Sequence, residues 1–172
     1  ALSETVHTVI ENYPKCSVDT LMNHLGTHDT VRVLTMLGRD DSFIGDRAWQ
    51  SGQKLTDSEY TLGVKRLMAA AVIQYTLPGV PSLFYGDEAG VQGYGDPFCR
   101  ATYPWGNENG ELLKFYKDLG AVRKNCKAFI NGDFYTIFAD DNAIAYIRKT
   151  ENSSVFVAVN RGSSVTDIIV PD

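Results

Sequence analysis

The stretch Leu21-Met22-Asn23-His24-Leu25-Gly26-Thr27-His28-Asp29-Thr30-Val31-Arg32 decides the reading of this chain. Its apolar start predicts a buried strand over 20–24. Gly26 breaks that strand, and His28 and Asp29 then stand side by side just past its end. The C-terminal ends of strands are where barrel-type α/β enzymes keep their reacting groups. The same residues also fit a plainer role, with Asp29 or Thr30 capping a short helix over 31–37 that Gly38 ends. On the residues alone both roles stand.

Outward from this stretch the pattern is α/β. Ser3 opens a helix with Leu2, Val6, Val9, Ile10 and Tyr13 on one face, stopped by Pro14, and 15–20 reads as a turn. The segment 39–52 is polar and irregular, with Phe43, Ile44 and Trp49 as anchors. Its acids Asp40, Asp41 and Asp46 match no EF-hand spacing and read as a solvated loop. Thr56 and Glu59 form a capping box, in which each side chain fills one of the free donors at a helix start. The helix over 57–76 carries Tyr60, Val64, Leu67, Met68, Ala71, Val72 and Tyr75 towards a core and leaves Lys65 and Arg66 to solvent. Pro78-Gly79 ends it, and Val80-Pro81-Ser82-Leu83-Phe84-Tyr85 reads as a buried strand, so that helix, tight turn and apolar strand make a parallel α/β unit. Asp87 and Glu88 follow at that strand's end.

A long loop over 89–106, rich in Gly, Pro and aromatic residues, has the length of a functional loop. Tyr94, Tyr103 and Trp105 within it suit stacking on sugar rings or pinning of the loop to its own domain. A helix over 111–125 buries Leu112, Phe115, Tyr116, Leu119 and Val122. Beyond Cys126 the pattern changes to short β-branched and aromatic runs over 134–138, 143–148, 155–160 and 165–170, separated by turns. This predicts an antiparallel β region and a domain boundary near 127, giving domains 1–126 and 127–172.

Composition excludes several functions. The 172 residues are 44% hydrophobic, which is enough for a packed core. The formal net charge is -5 and no basic run occurs, which argues against a nucleic-acid partner. No apolar run approaches the roughly 18 residues of a membrane span. Cys16, Cys99 and Cys126 are odd in number and lack metal-site spacing. No disulfide framework, zinc site or other cofactor is therefore expected in this segment, and a reducing, cytoplasmic setting is favoured over secretion. The chain has no initiating Met, as expected of an excised piece.

Three motifs, in order, resemble the α-amylase family of glycoside hydrolases. Gly26-Thr27-His28-Asp29-Thr30-Val31-Arg32 resembles the family's segment at the end of the seventh barrel strand. Pro78-Gly79-Val80-Pro81-Ser82-Leu83-Phe84-Tyr85-Gly86-Asp87-Glu88 resembles the turn and eighth strand. Gly95-Asp96-Pro97-Phe98-Cys99-Arg100, followed by Tyr103-Pro104-Trp105-Gly106, resembles the loop beyond it in the neopullulanase and cyclomaltodextrinase branch. A complete barrel needs about 250 residues. The resemblance therefore implies the last quarter of a (β/α)8 TIM barrel followed by part of an antiparallel β-sandwich domain, a C-terminal fragment of a larger enzyme.

The resemblance also implies roles. Asp29 would be the family's third catalytic carboxylate, holding hydroxyls of the sugar being cleaved and keeping the general acid protonated through like-charge repulsion. His28 would donate to the same sugar, and Asp96 and Arg100 would contact a further sugar, although their spacing equally suits an ion pair within the loop. Asp87 and Glu88 would be structural. The family's nucleophile and acid find no match in 1–172. The expected parent is an α-glucan hydrolase acting on α-1,4 bonds in starch-derived oligosaccharides, cyclodextrins or pullulan, with calcium conceivable elsewhere in it. This chain alone is expected to be inactive and to self-associate through open strand edges. Two further readings are a glucosyltransferase or isomerase of the same superfamily and a non-catalytic association module.

Overall fold

The computed structural model describes residues 2–39 and 45–170. Asp40, Asp41, Phe43 and Ile44 lie outside the described residues, so their expected roles are not pursued. The chain forms two compact units, one of Ala1–Asn23, Val72–Pro81 and Leu119–Asp172, the other of His24–Ala71 and Ser82–Asp118.

The first unit is built on an antiparallel sheet. Its strands β3 (Asp133–Ala139), β4 (Ala143–Thr150) and β5 (Ser153–Asn160) follow one another in the order β3-β4-β5. Phe134 faces Arg148 across the first pair and Tyr146 faces Val157 across the second, with a register irregularity between Thr136 and Phe138. Phe129, Phe134, Ile144, Tyr146 and Val157 form the core. Val6 and Ile10 of helix α1 (Leu2–Asn12) and Val72, Ile73 and Leu77 pack against it. Burying each such side chain is worth about 1.5–3 kcal/mol. The core also holds polar groups, and most of their donors are satisfied within it. The Tyr146 hydroxyl meets that of Thr76 at 2.5 Å, and burial pushes it up to about 12. Arg148 is fully buried, and its guanidinium donates to the carbonyls of Thr76 at 2.6 Å and Gly132 at 2.8 Å.

This unit corrects several local expectations. Residues 15–18 form a one-turn helix α2 (Lys15–Val18) led by Pro14, whose fixed φ suits a helix start. A short helix α7 (Lys127–Asn131) precedes the sheet, with Phe129 in the core. The fourth β run makes no strand: Val165 and Ile169 are about nine-tenths exposed, and no neighbour supplies a ladder among the described residues. Val122 of helix α6 (Gly110–Asn125) is exposed rather than buried.

Strands β1 (Met22–His24) and β2 (Val80–Ser82) pair as a two-stranded sheet, the Val80 amide donating to the Leu21 carbonyl at 2.7 Å. They are shorter and more open than the apolar sequence predicts, with Leu21, Met22, Val80, Leu83 and Tyr85 all exposed. Among the described residues β1 and β2 have only each other as ladder partners, so side chains that a wider sheet would cover meet solvent. Gly79 turns the chain between helix and strand at φ +103°, a conformation that disfavours any side chain. Arg123 closes the end of the preceding helix α5 (Asp57–Thr76), donating to the carbonyls of Tyr75 at 2.6 Å and Gly79 at 2.5 Å.

In the second unit, α5 begins with the expected capping box. The Thr56 amide donates to the Glu59 carboxylate at 2.7 Å and the Glu59 amide to the Thr56 hydroxyl at 3.3 Å. Val64, Leu67 and Ala71 are buried, and Lys65 and Arg66 are exposed. Helix α3 (Val33–Gly38) crosses α5 closely at two glycines. A Cβ on Gly63 would meet the Leu34 carbonyl oxygen at 2.9 Å, and one on Gly38 the Glu59 carbonyl oxygen at 2.7 Å. Helix α4 (Arg47–Gly52) replaces part of the expected irregular loop. The Asp46 carboxylate caps it by accepting from the Trp49 amide at 2.9 Å, which is a structural use of that acid.

Candidate functional site

The site grows from the segment between β1 and α3. The helix starts at Val33 with Arg32 at its N-cap and no side-chain cap. Asp29 and Thr30 are therefore not used as helix caps. The Thr30 hydroxyl instead accepts from the Thr27 amide at 3.0 Å, closing a tight turn. The turn leaves His28 and Asp29 open to solvent, their side chains 61% and 70% exposed, with the imidazole Nε2 3.3 Å from the carboxylate.

The loop 89–106 brings the other expected residues to the same place. It carries a 3-10 turn at Phe98–Arg100. Arg100 donates to the Asp29 carboxylate at 3.3 Å, and its Nε pairs with Asp96 at 2.6 Å. The expected ion pair of Asp96 and Arg100 forms, and Arg100 also reaches Asp29, a contact that no spacing suggests. Asp96, Arg100, Asp29 and His28 form a continuous run of charged and polar contacts. Beside it lies a cleft of about 280 Å³ lined by His24, Thr27, His28, Asp29, Ser82 and Phe84. A larger groove, about 480 Å³, is lined by Lys127, Asn131, Thr150 and Ser153 and holds none of these residues.

The loop is held from below. Tyr94, read as a sugar-stacking candidate, is buried: its hydroxyl accepts from Arg39 at 2.9 Å and its ring lies edge-on to Trp49 at 5.1 Å. Trp105 is 80% exposed, its ring 4.5 Å from that of Tyr103, and so remains free to meet a ligand. Asp87 is structural. It is 2% exposed and 3.1 Å from the Arg32 guanidinium, and burial raises its carboxyl to about 6 against the pull of that cation. Sequence reasoning gave Arg32 no role. Arg32 lies inside the His28–Asp29 motif, but its side-chain partners Tyr85, Asp87 and Cys99 are 53, 55 and 67 residues away, and no spacing reveals them.

The arrangement offers a carboxylate, an imidazole and a guanidinium at the rim of an open cleft, the donor and acceptor set that suits a polyhydroxylated ligand.

No family model matches the chain. It is 32% identical over 180 residues to an amylopullulanase of Thermoanaerobacterium thermosulfurigenes, covering 98% of this chain and 9% of that protein. It is 32% identical over 167 residues to a cyclomaltodextrinase of Geobacillus thermopakistaniensis, covering 95% of this chain and 24% of that protein. The chain thus spans at most about a quarter of these relatives. The fold matches cyclic α-maltosyl-(1→6)-maltose hydrolase from Arthrobacter globiformis with a TM-score of 0.75 at 27% identity, over 94% of this chain and 32% of that one. These likenesses bear out the expected fold class, the closing part of a (β/α)8 barrel leading into an antiparallel β region. The chain belongs to the α-amylase family of glycoside hydrolases, on the branch of the amylopullulanases, cyclomaltodextrinases and neopullulanases.

Proposed function

We propose that this chain supplies the Asp29-bearing part of a retaining α-glucan hydrolase that cleaves α-1,4-glucosidic bonds in starch-derived oligosaccharides, cyclodextrins or pullulan. The observation that carries the reading is the run Asp96–Arg100–Asp29–His28 along a cleft of about 280 Å³, which joins residues from two motifs about seventy positions apart. In this reading Asp29 accepts from hydroxyls of the sugar being cleaved and raises the proton affinity of a neighbouring general acid. His28 donates to the same sugar, and Arg100, braced by Asp96, contacts the next.

A retaining glycosidase needs a nucleophile and an acid about 5 Å apart. In this reading both come from barrel segments outside these residues. Residues 1–126 belong to the barrel and 127–172 to the C-terminal β domain. The isolated chain is inactive, and it associates with itself through open strand edges. Light scattering that shows only monomer counts against that association.

The test of the reading is reducing-sugar release from maltoheptaose and β-cyclodextrin by the 172-residue chain beside Asp29→Asn. No release is expected from either. Release that the substitution abolishes would place a nucleophile and acid within these residues and overturn the assignment.

A further inference from the structure

Arg32 is 1% exposed, and its guanidinium is shared among separate segments of its own unit. Nε donates to the Cys99 carbonyl at 2.7 Å. One Nη donates to the Tyr85 carbonyl at 2.5 Å and to the Asp87 carboxylate at 3.1 Å. The guanidinium carbon lies 4.0 Å from the centroid of the Phe84 ring. The Arg32 amide donates to the Gly93 carbonyl at 2.9 Å, at the other end of the same loop. Cys99 is fully buried, its thiol donates to the His28 carbonyl at 3.1 Å, and the next residue is Arg100.

These contacts differ in strength from those at the cleft rim. The pairs Arg100–Asp29 and Arg100–Asp96 are exposed, and exposed ion pairs hold geometry weakly in water. Among the described residues the other Nη has no hydrogen-bond partner, so Nε and the first Nη carry the contacts, and hydrogen bonds from a buried cation are strong enough to hold the carbonyls they meet firmly. The rim geometry is therefore fixed from beneath, at the carbonyl one residue before Arg100.

We propose that Arg32 is a positioning residue for glucan binding, setting Arg100 against Asp29 through the Cys99 carbonyl. This inference rests on the reading of Asp29 and Arg100 as glucan-binding groups. Lysine cannot replace Arg32, because one ammonium lacks the rigid fork that serves Cys99, Tyr85 and Asp87 together.

The test measures kcat and KM on maltoheptaose for the full-length enzyme carrying this chain, with Arg100→Ala, Arg32→Lys and the double variant. Arg100→Ala is expected to raise KM about tenfold, the size of one charge-assisted hydrogen bond. Arg32→Lys is expected to raise KM similarly with kcat within about twofold. The double variant is expected to be no worse than either single one, because the two residues act along one path. A purely structural Arg32 would instead lower kcat by reducing the folded fraction and leave KM unchanged. Losses that multiply in the double variant would also overturn the inference. If Arg100→Ala leaves KM unchanged, the site reading itself fails, whatever Arg32 does. Should Arg32→Lys not fold, Asp87→Asn carries the test. It leaves Nε on the Cys99 carbonyl, so KM is expected within about twofold of the parent, and a rise matching that of Arg100→Ala would overturn the inference.

Discussion

Asp87→Asn should remove a pH dependence that the buried pair builds into the fold. Burial raises the Asp87 carboxyl from 3.8 to about 6, with the Arg32 guanidinium pulling the other way. In the unfolded chain the carboxyl returns to its ordinary value. The native state therefore binds the proton more tightly, and this contribution is fully present below pH ~4 and lost as pH rises through about 6. A gap of about two units at ~1.4 kcal/mol each amounts to about 3 kcal/mol. Most of it, about 2–3 kcal/mol, is lost between pH 4 and 8. The asparagine variant has no such proton to lose.

The assay is urea unfolding of both proteins at pH 4, 5, 6, 7 and 8, followed by tryptophan emission. Trp49 and Trp105 are the two tryptophans, and both lie in the unit that holds Asp87. Relative to the parent, the variant should gain about 2–3 kcal/mol from the acid end to the alkaline end of that range. A difference that stays constant within about 0.5 kcal/mol would refute the reasoning, because the guanidinium would then outweigh burial and keep Asp87 ionised throughout.

Thr56→Ala should cost about 1 kcal/mol in a thermal or urea scan through loss of the cap on α5. At the same helix start, the Arg39 guanidinium holds the Glu59 carboxyl down to about 2, so its contribution is present above the ordinary carboxylate range and lost as pH falls through about 2. Glu59→Gln should therefore lose more stability at pH 7 than at pH 2. Gly79→Ala should destabilise by more than about 1 kcal/mol, since its φ is +103° and a Cβ would meet the Leu21 carbonyl oxygen at 2.5 Å. Tyr146→Phe should cost about 1 kcal/mol, because the Thr76 hydroxyl keeps its bond to the Val72 carbonyl. A neutral result in urea unfolding would show that the Tyr146 hydroxyl adds nothing.

What the sequence reveals depends on how far apart the interacting residues are. The capping box at Thr56 and Glu59, the stripe on α5 and the β3-β4-β5 hairpins rest on local spacing, and each forms as read. The motifs around His28–Asp29 and Asp96–Arg100 were legible as motifs. Their meeting at 3.3 Å is a tertiary fact that no periodicity carries. Arg32 and Asp87 are paired across fifty-five positions, and both are charged residues that pattern reading places outside a core. The apolar run after Gly79 predicted a fully buried strand, yet its exposure depends on how many strands flank it, which composition does not state. Residues 165–170 have the β-branched content of a strand but no neighbour to complete a ladder among the described residues.

The most direct test of the account is hydrolysis of maltoheptaose by the full-length enzyme carrying this chain, with Asp29 intact and as Asp29→Asn. Asp29 is 70% exposed here, so its replacement should change stability by no more than about 0.5 kcal/mol. The account predicts a fall in kcat/KM of at least about 100-fold with the unfolding curve unchanged, as expected when a group that acts on the transition state is removed. A variant that keeps its rate within about threefold would contradict it, leaving Asp29 as a surface carboxylate beside the cleft.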